Sequence, residues 1–252
     1  MIKISEEEAS FKGQLVRELI ARVTSDHLIG QKFKNGEMRK KIVEPPWRCP
    51  AGFEMEEIHL PLFSMEYLHG GGYVGKIHNT YRSFAVLYAE AGKGMDVLSI
   101  DYRVAPENPF PAALEDAITA FDWLREEKGF TEDEIYLGGD SAGGGLCMAL
   151  CHYLKDHGRK LPRGIVAMSP WTDMTASGPS YDDNYEKDPL FGKTRDSLIY
   201  STDYRQDHDP KNPYLSPLFG DFTGFPPMLI QVGTYEMLLS DSQQAAAKAK
   251  EQ

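Results

Sequence analysis

The stretch Glu134-Ile135-Tyr136-Leu137-Gly138-Gly139-Asp140-Ser141-Ala142-Gly143-Gly144 decides how this chain folds. Ile135, Tyr136 and Leu137 are strand formers. After the glycines, apolar residues at 146, 147, 150, 153 and 154 fall on one face of a helix. The order is therefore strand, tight turn, helix, with Ser141 at the tip. Gly139 and Gly143 flank the serine, and a Cβ at either would press on the strand or helix being joined. The serine also sits over the first turn of the helix. Unpaired N–H groups and the helix dipole there favour negative charge. Seventy residues upstream lies a second glycine cluster, His69-Gly70-Gly71-Gly72-Tyr73.

The rest of the composition narrows the field. The chain has 252 residues, 26% charged and 41% hydrophobic, as an ordinary globular domain has. Its net charge of -11 disfavours nucleic acid or an anionic membrane as partner, since both attract a basic patch. No apolar run approaches the ~20 residues of a membrane span. The acidic start, Met1 to Glu8, lacks the apolar core of a signal peptide. Three cysteines, an odd number without a C-x-x-C pair, argue against a disulfide framework and against a zinc site. Cys147 and Cys151 read as small buried hydrophobes. These features point to a reduced, cytoplasmic protein.

Strands and helices are expected to alternate, which implies a largely parallel sheet. Residues 1 to about 45 read as helical, with Leu15, Val16, Leu19, Ile20 and Val23 as a stripe, ending at Pro45-Pro46. Residues 54 to 68 read as short and strand-like. A helix with Tyr81, Phe84, Ala85, Tyr88 and Ala91 inward follows the His69 cluster. Residues 97–100, 165–168 and 228–232 read as strands, and 112–127 and 241–250 as helices. The segment from about 172 to 225 is too long for a plain connection and is expected to carry its own helix around 194–204.

These motifs together resemble the hormone-sensitive-lipase-like carboxylesterases of the α/β-hydrolase fold. The carrying residues are His69-Gly70-Gly71-Gly72-Tyr73, Asp101-Tyr102-Arg103-Val104-Ala105-Pro106-Glu107, Phe110-Pro111-Ala112-Ala113, Gly139-Asp140-Ser141-Ala142-Gly143-Gly144, Ser169-Pro170-Trp171 and Pro226 to Gly233. The G-x-S-x-G run corresponds to a nucleophile elbow and the HGGG run to an oxyanion loop. The resemblance implies a mostly parallel sheet flanked by helices. Residues 46–179 and 221–252 would form the core, with a mostly helical cap from 1–45 and 180–220. It implies Ser141 as nucleophile and Glu236 as the acid, with Asp241 the fallback. Gly71, Gly72 and Ala142 would be the oxyanion donors. His69, Gly70, Gly139, Asp140 and Gly143 would support the motifs. It implies no cofactor and no metal. The expected partner is a small-molecule ester, with a homodimer as a further option.

Two departures stand out. All seven histidines precede Glu236, whereas the family places its catalytic imidazole beyond the acid. The chain therefore reads as truncated, short of a C-terminal helix, a strand and the third triad member. About a dozen residues also look absent before His69. Two main functions follow. One is a carboxylesterase on short acyl esters, working through an acyl-enzyme and inactive in the shortened form. The other is a binding protein on the same fold, as in the plant gibberellin receptors, which resemble the family and lack the triad histidine. An inert fragment is the third reading.

Overall fold

The computed structural model describes residues 63–193 and 198–252. The expected helix before residue 45 and the strand-like run from 54 to 62 lie outside them. Among the described residues five strands form one sheet: β1 (Ser64–Leu68), β2 (Asp96–Ile100), β3 (Ile135–Asp140), β4 (Gly164–Met168) and β5 (Met228–Gln231). The order is β2-β1-β3-β4-β5, and every pair is parallel. The longer helices are α1 (Asn79–Ala91), α2 (Ala112–Glu126), α3 (Ala142–Asp156) and α5 (Leu239–Glu251); α4 is a single turn, Ser180–Asp183.

β1 is an interior strand, between β2 and β3, and is buried along its whole length. Alternation sends Tyr67 to the α1 side, where its ring meets Tyr81, Phe84 and Tyr88 at centroid distances of 5.4 to 6.4 Å. Glu66 points the other way, into the layer of α2 and α3. It is fully buried, and neither carboxyl oxygen has a hydrogen-bond partner. Ser64–Leu68 pairs in register with β2 on one side and β3 on the other. The consequence is a carboxyl group at a core position.

α3 is almost wholly buried and packs against β1, β3 and β4. Cys147 and Cys151 are reduced and buried on it. His152, further along, donates from Nε2 to the Pro217 carbonyl at 3.0 Å and packs on Phe222 and Phe225. Burial holds its pKa down to about 4, against an ordinary value near 6.5. A depressed histidine takes up its proton later in the fold than in the unfolded chain. Stability is therefore lost as pH falls from about 6.5 toward about 4. We expect His152→Gln to flatten that part of the stability profile, read from urea melts at pH 7, 5.5 and 4.5. An unchanged slope would show that the titration lies elsewhere.

The helix expected around 194–204 is not formed in its described part. Leu198–Tyr200 is one 3-10 turn, and turns follow to residue 208. The physical reason is local competition. The Ser201 hydroxyl accepts from the Asp203 N–H two residues on, at 3.1 Å. Such side-chain bonds offer the backbone an alternative to a helix. The segment docks instead through Tyr204, which stacks on Tyr73 at 4.0 Å and meets Phe110 edge-on at 6.0 Å.

Candidate active site

Ser141 lies between the end of β3 and the start of α3, at φ 51 and ψ -119. That left-handed conformation is strained for a residue with a Cβ and is over-determined by its surroundings. The Ser141 N–H donates to Met168 O at 2.9 Å, and its carbonyl accepts from Gly145 and Trp171 at 3.1 and 2.9 Å. Neighbouring backbones leave no room for side chains. A Cβ on Gly139 would lie 2.5 Å from the carbonyl carbon of Gly143 and 2.7 Å from the Leu68 carbonyl oxygen. A Cβ on Gly143 would collide outright with that Leu68 oxygen. The end of β1, as well as the joined strand and helix, demands the two glycines.

The glycine loop follows β1 directly. Gly71 has φ 112, Gly72 φ 61 and Tyr73 φ 60. Gly71 O accepts from Val74 and Gly75, which closes a tight turn. Among the described residues no acceptor pairs with the Gly71 or Gly72 N–H. Asp140 ties loop to elbow: its Oδ1 accepts from Gly70 N at 3.0 Å and from the Tyr67 hydroxyl at 2.8 Å. Burial raises the Asp140 pKa, and those two hydrogen bonds oppose the rise. A Cβ on Gly70 would run into the Asp140 carboxylate.

His69 is fully buried, stacked on Tyr102 at 4.1 Å, with Nδ1–H donating to Gly70 O at 2.7 Å. Burial lowers its pKa to about 4. Its carbonyl accepts from the Tyr102 hydroxyl. Asp101 accepts from Ile77 N, and Arg103 is held by Asp116 and Glu115 at the start of α2. These residues brace the loops.

Glu236 follows β5 and so lies at the same, C-terminal edge of the parallel sheet as Ser141. Its Oε1 accepts from Gly233 N at 2.6 Å. Burial raises its pKa, while a hydrogen bond from the Ser169 side chain opposes this. Asp241 is turned away from solvent: Oδ2 accepts from Thr172 N and Asp173 N at 2.8 and 2.9 Å. Burial pushes its pKa up to about 7.

Between elbow and acid turn runs the loop after β4. Ser169, at φ 46, donates its N–H to Gln231 O at 2.6 Å, and its side chain lies close enough to Glu236 to oppose the rise of that carboxyl's pKa. Sequence reasoning quoted Ser169-Pro170-Trp171 without giving Ser169 a task. The one signal is its place directly after β4.

A serine on a strand-to-helix elbow at the C-terminal edge of a parallel sheet, beneath a glycine loop with free N–H groups, defines an α/β-hydrolase. The chain belongs to that family: a family model described as alpha/beta hydrolase fold matches residues 65–252. It is similar to an acetyl-hydrolase of Streptomyces hygroscopicus, 41% identical over 186 residues, covering 73% of this chain and 61% of the relative. An esterase of Acinetobacter venetianus is 33% identical, covering 80% of this chain and 67% of the relative. Among solved structures, an esterase from the bacterial hormone-sensitive lipase family superposes with a TM-score of 0.69 at 42% identity, covering 75% of this chain and 63% of that one. An esterase/lipase from an uncultured bacterium gives 0.80 at 31% identity, covering 96% and 85%. The chain thus spans about three fifths of the length of the Streptomyces relative. Among the described residues no helix is long and apolar enough to cross a membrane.

Proposed function

We propose that this chain carries the nucleophile and oxyanion site of a serine carboxylesterase acting on short, water-soluble acyl esters. The observation that carries the reading is Ser141 held at positive φ on the β3–α3 elbow, with the Gly70–Tyr73 loop, whose Gly71 and Gly72 N–H groups have no partner among the described residues, tied to that elbow through Asp140. In the proposed reaction the Ser141 oxygen attacks the ester carbonyl and gives its proton to a base. The carbonyl oxygen becomes an oxyanion facing the N–H groups of Gly71, Gly72 and Ala142. Preorganised donors of this kind contribute ~3–4 kcal/mol each to the transition state. The C–O bond to the alcohol then breaks, the alcohol leaves with the proton, and water releases the acid from the acyl-enzyme. Glu236 orients and charge-balances the base. No cofactor takes part, and the chain works in the cytoplasm, alone or as a homodimer.

The base would be an imidazole seated between Ser141 and Glu236. The contacts of His69 and His152 are described above; His157 stacks on Tyr153 and His208 lies against Phe110. A polypeptide of residues 1–252 is therefore expected to hydrolyse p-nitrophenyl acetate slowly, and added imidazole to accelerate it. Ser141→Ala should remove both the basal and the imidazole-supported rate, down to that of imidazole in buffer. If Ser141→Ala keeps the full rate, the esterase reading fails. The lack of a described imidazole at the site favours a second reading, a binding protein on the same fold. Tight binding of a small hydrophobic acid, without turnover on adding imidazole, would support it.

A further inference from the structure

We propose that Asn184 and Asp188 are positioning residues for the Glu236 carboxylate, holding the turn that carries it through one buried face of segment 180–188. The proposal rests on the reading of Glu236 as the acid. The turn has little to hold itself with. It leaves a four-residue edge strand whose residues alternate between half-buried and exposed, and Gly233, Thr234 and Tyr235 are exposed. Its own bonds are few: Gly233 N to the Glu236 carboxylate, Glu236 N to Gly233 O at 3.2 Å, and Leu239 N to Glu236 O at 3.2 Å.

The missing support comes from some fifty residues upstream. Asn184 Nδ2 donates to Thr234 O at 3.1 Å and to Glu236 O at 2.8 Å. Asp188 Oδ2 accepts from Met237 N at 2.6 Å. Ser180 Oγ donates to Met237 O at 2.6 Å, and Ser240 N lies 2.9 Å from the same oxygen. Residues 180, 184 and 188 are four apart. Asn184 N bonds Ser180 O and Asp188 N bonds Asn184 O, so the three side chains line one helical face. Their exposures are 5%, 5% and 7%.

The clamp is itself rigid. Asp188 Oδ1 accepts from Leu190 N and Phe191 N at 2.7 and 2.9 Å, so its carboxylate is fixed by three N–H groups. Apolar packing could bury the turn equally well, but it would not aim it. Asn184 grips the carbonyl of Glu236 itself, which fixes where that side chain starts. Gly233 N, bonded to Oε1 at 2.6 Å, then fixes where it ends. The negative charge of Asp188 also lies close enough to add to the burial that raises the Glu236 pKa.

The test is a titration of Glu236 by carboxyl-carbon NMR in residues 1–252, assigned with Glu236→Gln. Asn184→Ala should loosen the turn, admit water and lower the Glu236 pKa toward the ordinary carboxylate value. Asp188→Asn should move it the same way by removing the neighbouring charge. Imidazole-supported hydrolysis should fall about 10–100-fold in kcat with little change in KM, the effect of misplacing a catalytic group by a fraction of its length. If Asn184→Ala does not fold, Asp188→Asn, which keeps size and one accepting oxygen, gives the same titration readout. Folded variants in which Glu236 titrates as in the parent overturn the proposal. A shifted titration in a protein whose hydrolysis survives Ser141→Ala would uphold the clamp while removing the esterase reading.

Discussion

Glu66→Leu is expected to raise the unfolding free energy by about 2–4 kcal/mol, from a single substitution in the middle of the buried interior strand β1. Glu66 is fully buried among α2 and α3, with no partner for either oxygen. Burial, and secondarily the charge of Asp122, raises its pKa well above the ordinary value. The folded state therefore holds a proton that the unfolded chain releases at an ordinary carboxylate pKa, near 4.3. Between those two values the parent loses stability as pH rises, because the unfolded state binds fewer protons. The variant has no such loss, so its advantage should widen from pH 5 to pH 8. Urea melts of both proteins at those two pH values check this. No gain, or a gain independent of pH, would mean that Glu66 finds a partner in solution.

Gly143→Ala should be as damaging as Glu66→Leu is helpful. The added methyl would occupy the space of the Leu68 carbonyl oxygen, with the Leu68 carbonyl carbon 2.6 Å and the His69 oxygen 2.7 Å away. All three atoms are backbone and cannot rotate aside. β1 and α3 would have to part where a fully buried strand meets an almost wholly buried helix. A loss on the order of 4 kcal/mol is expected, at the upper end for single substitutions. Gly158→Ala is the control. Gly158 has φ 63 but nothing near its Cβ position, so only the left-handed backbone penalty of about 1–2 kcal/mol applies. Similar losses at the two sites would show that crowding at the elbow relaxes more easily than the geometry implies.

The elbow was legible because it is local. A strand-forming run, small residues and a helical stripe stand next to each other, and β3 and α3 follow from them directly. The parallel sheet followed from alternation, and β2, β4 and β5 fall within a residue of the expected runs. What stayed hidden depends on contacts distant in sequence. Nothing in Ser-Met-Glu-Tyr-Leu says that Glu66 faces the core, because the register is set by β2 and β3 on either side. Nothing near Ser169 announces a positive φ. Nothing around Asn184 and Asp188 announces bonds to residues some fifty positions on. In the described part of 194–204, residues 198–204, one 3-10 turn stands in place of the expected helix, and the Ser201 side chain bonds the backbone there.

One geometric fact about the sheet reaches beyond this chain's present chemistry. Ser141 and Glu236 leave strands β3 and β5, which flank β4. Their separation is thus set by two inter-strand spacings, about 9–10 Å. With the 180–188 face holding the Glu236 turn, it does not depend on the length of the excursion between residues 192 and 226. That excursion can be lengthened, shortened or rewritten while the ruler beneath it keeps its gradations. On the proposed esterase reading, selectivity for one ester over another can therefore drift across generations with Ser141 and Glu236 left in place.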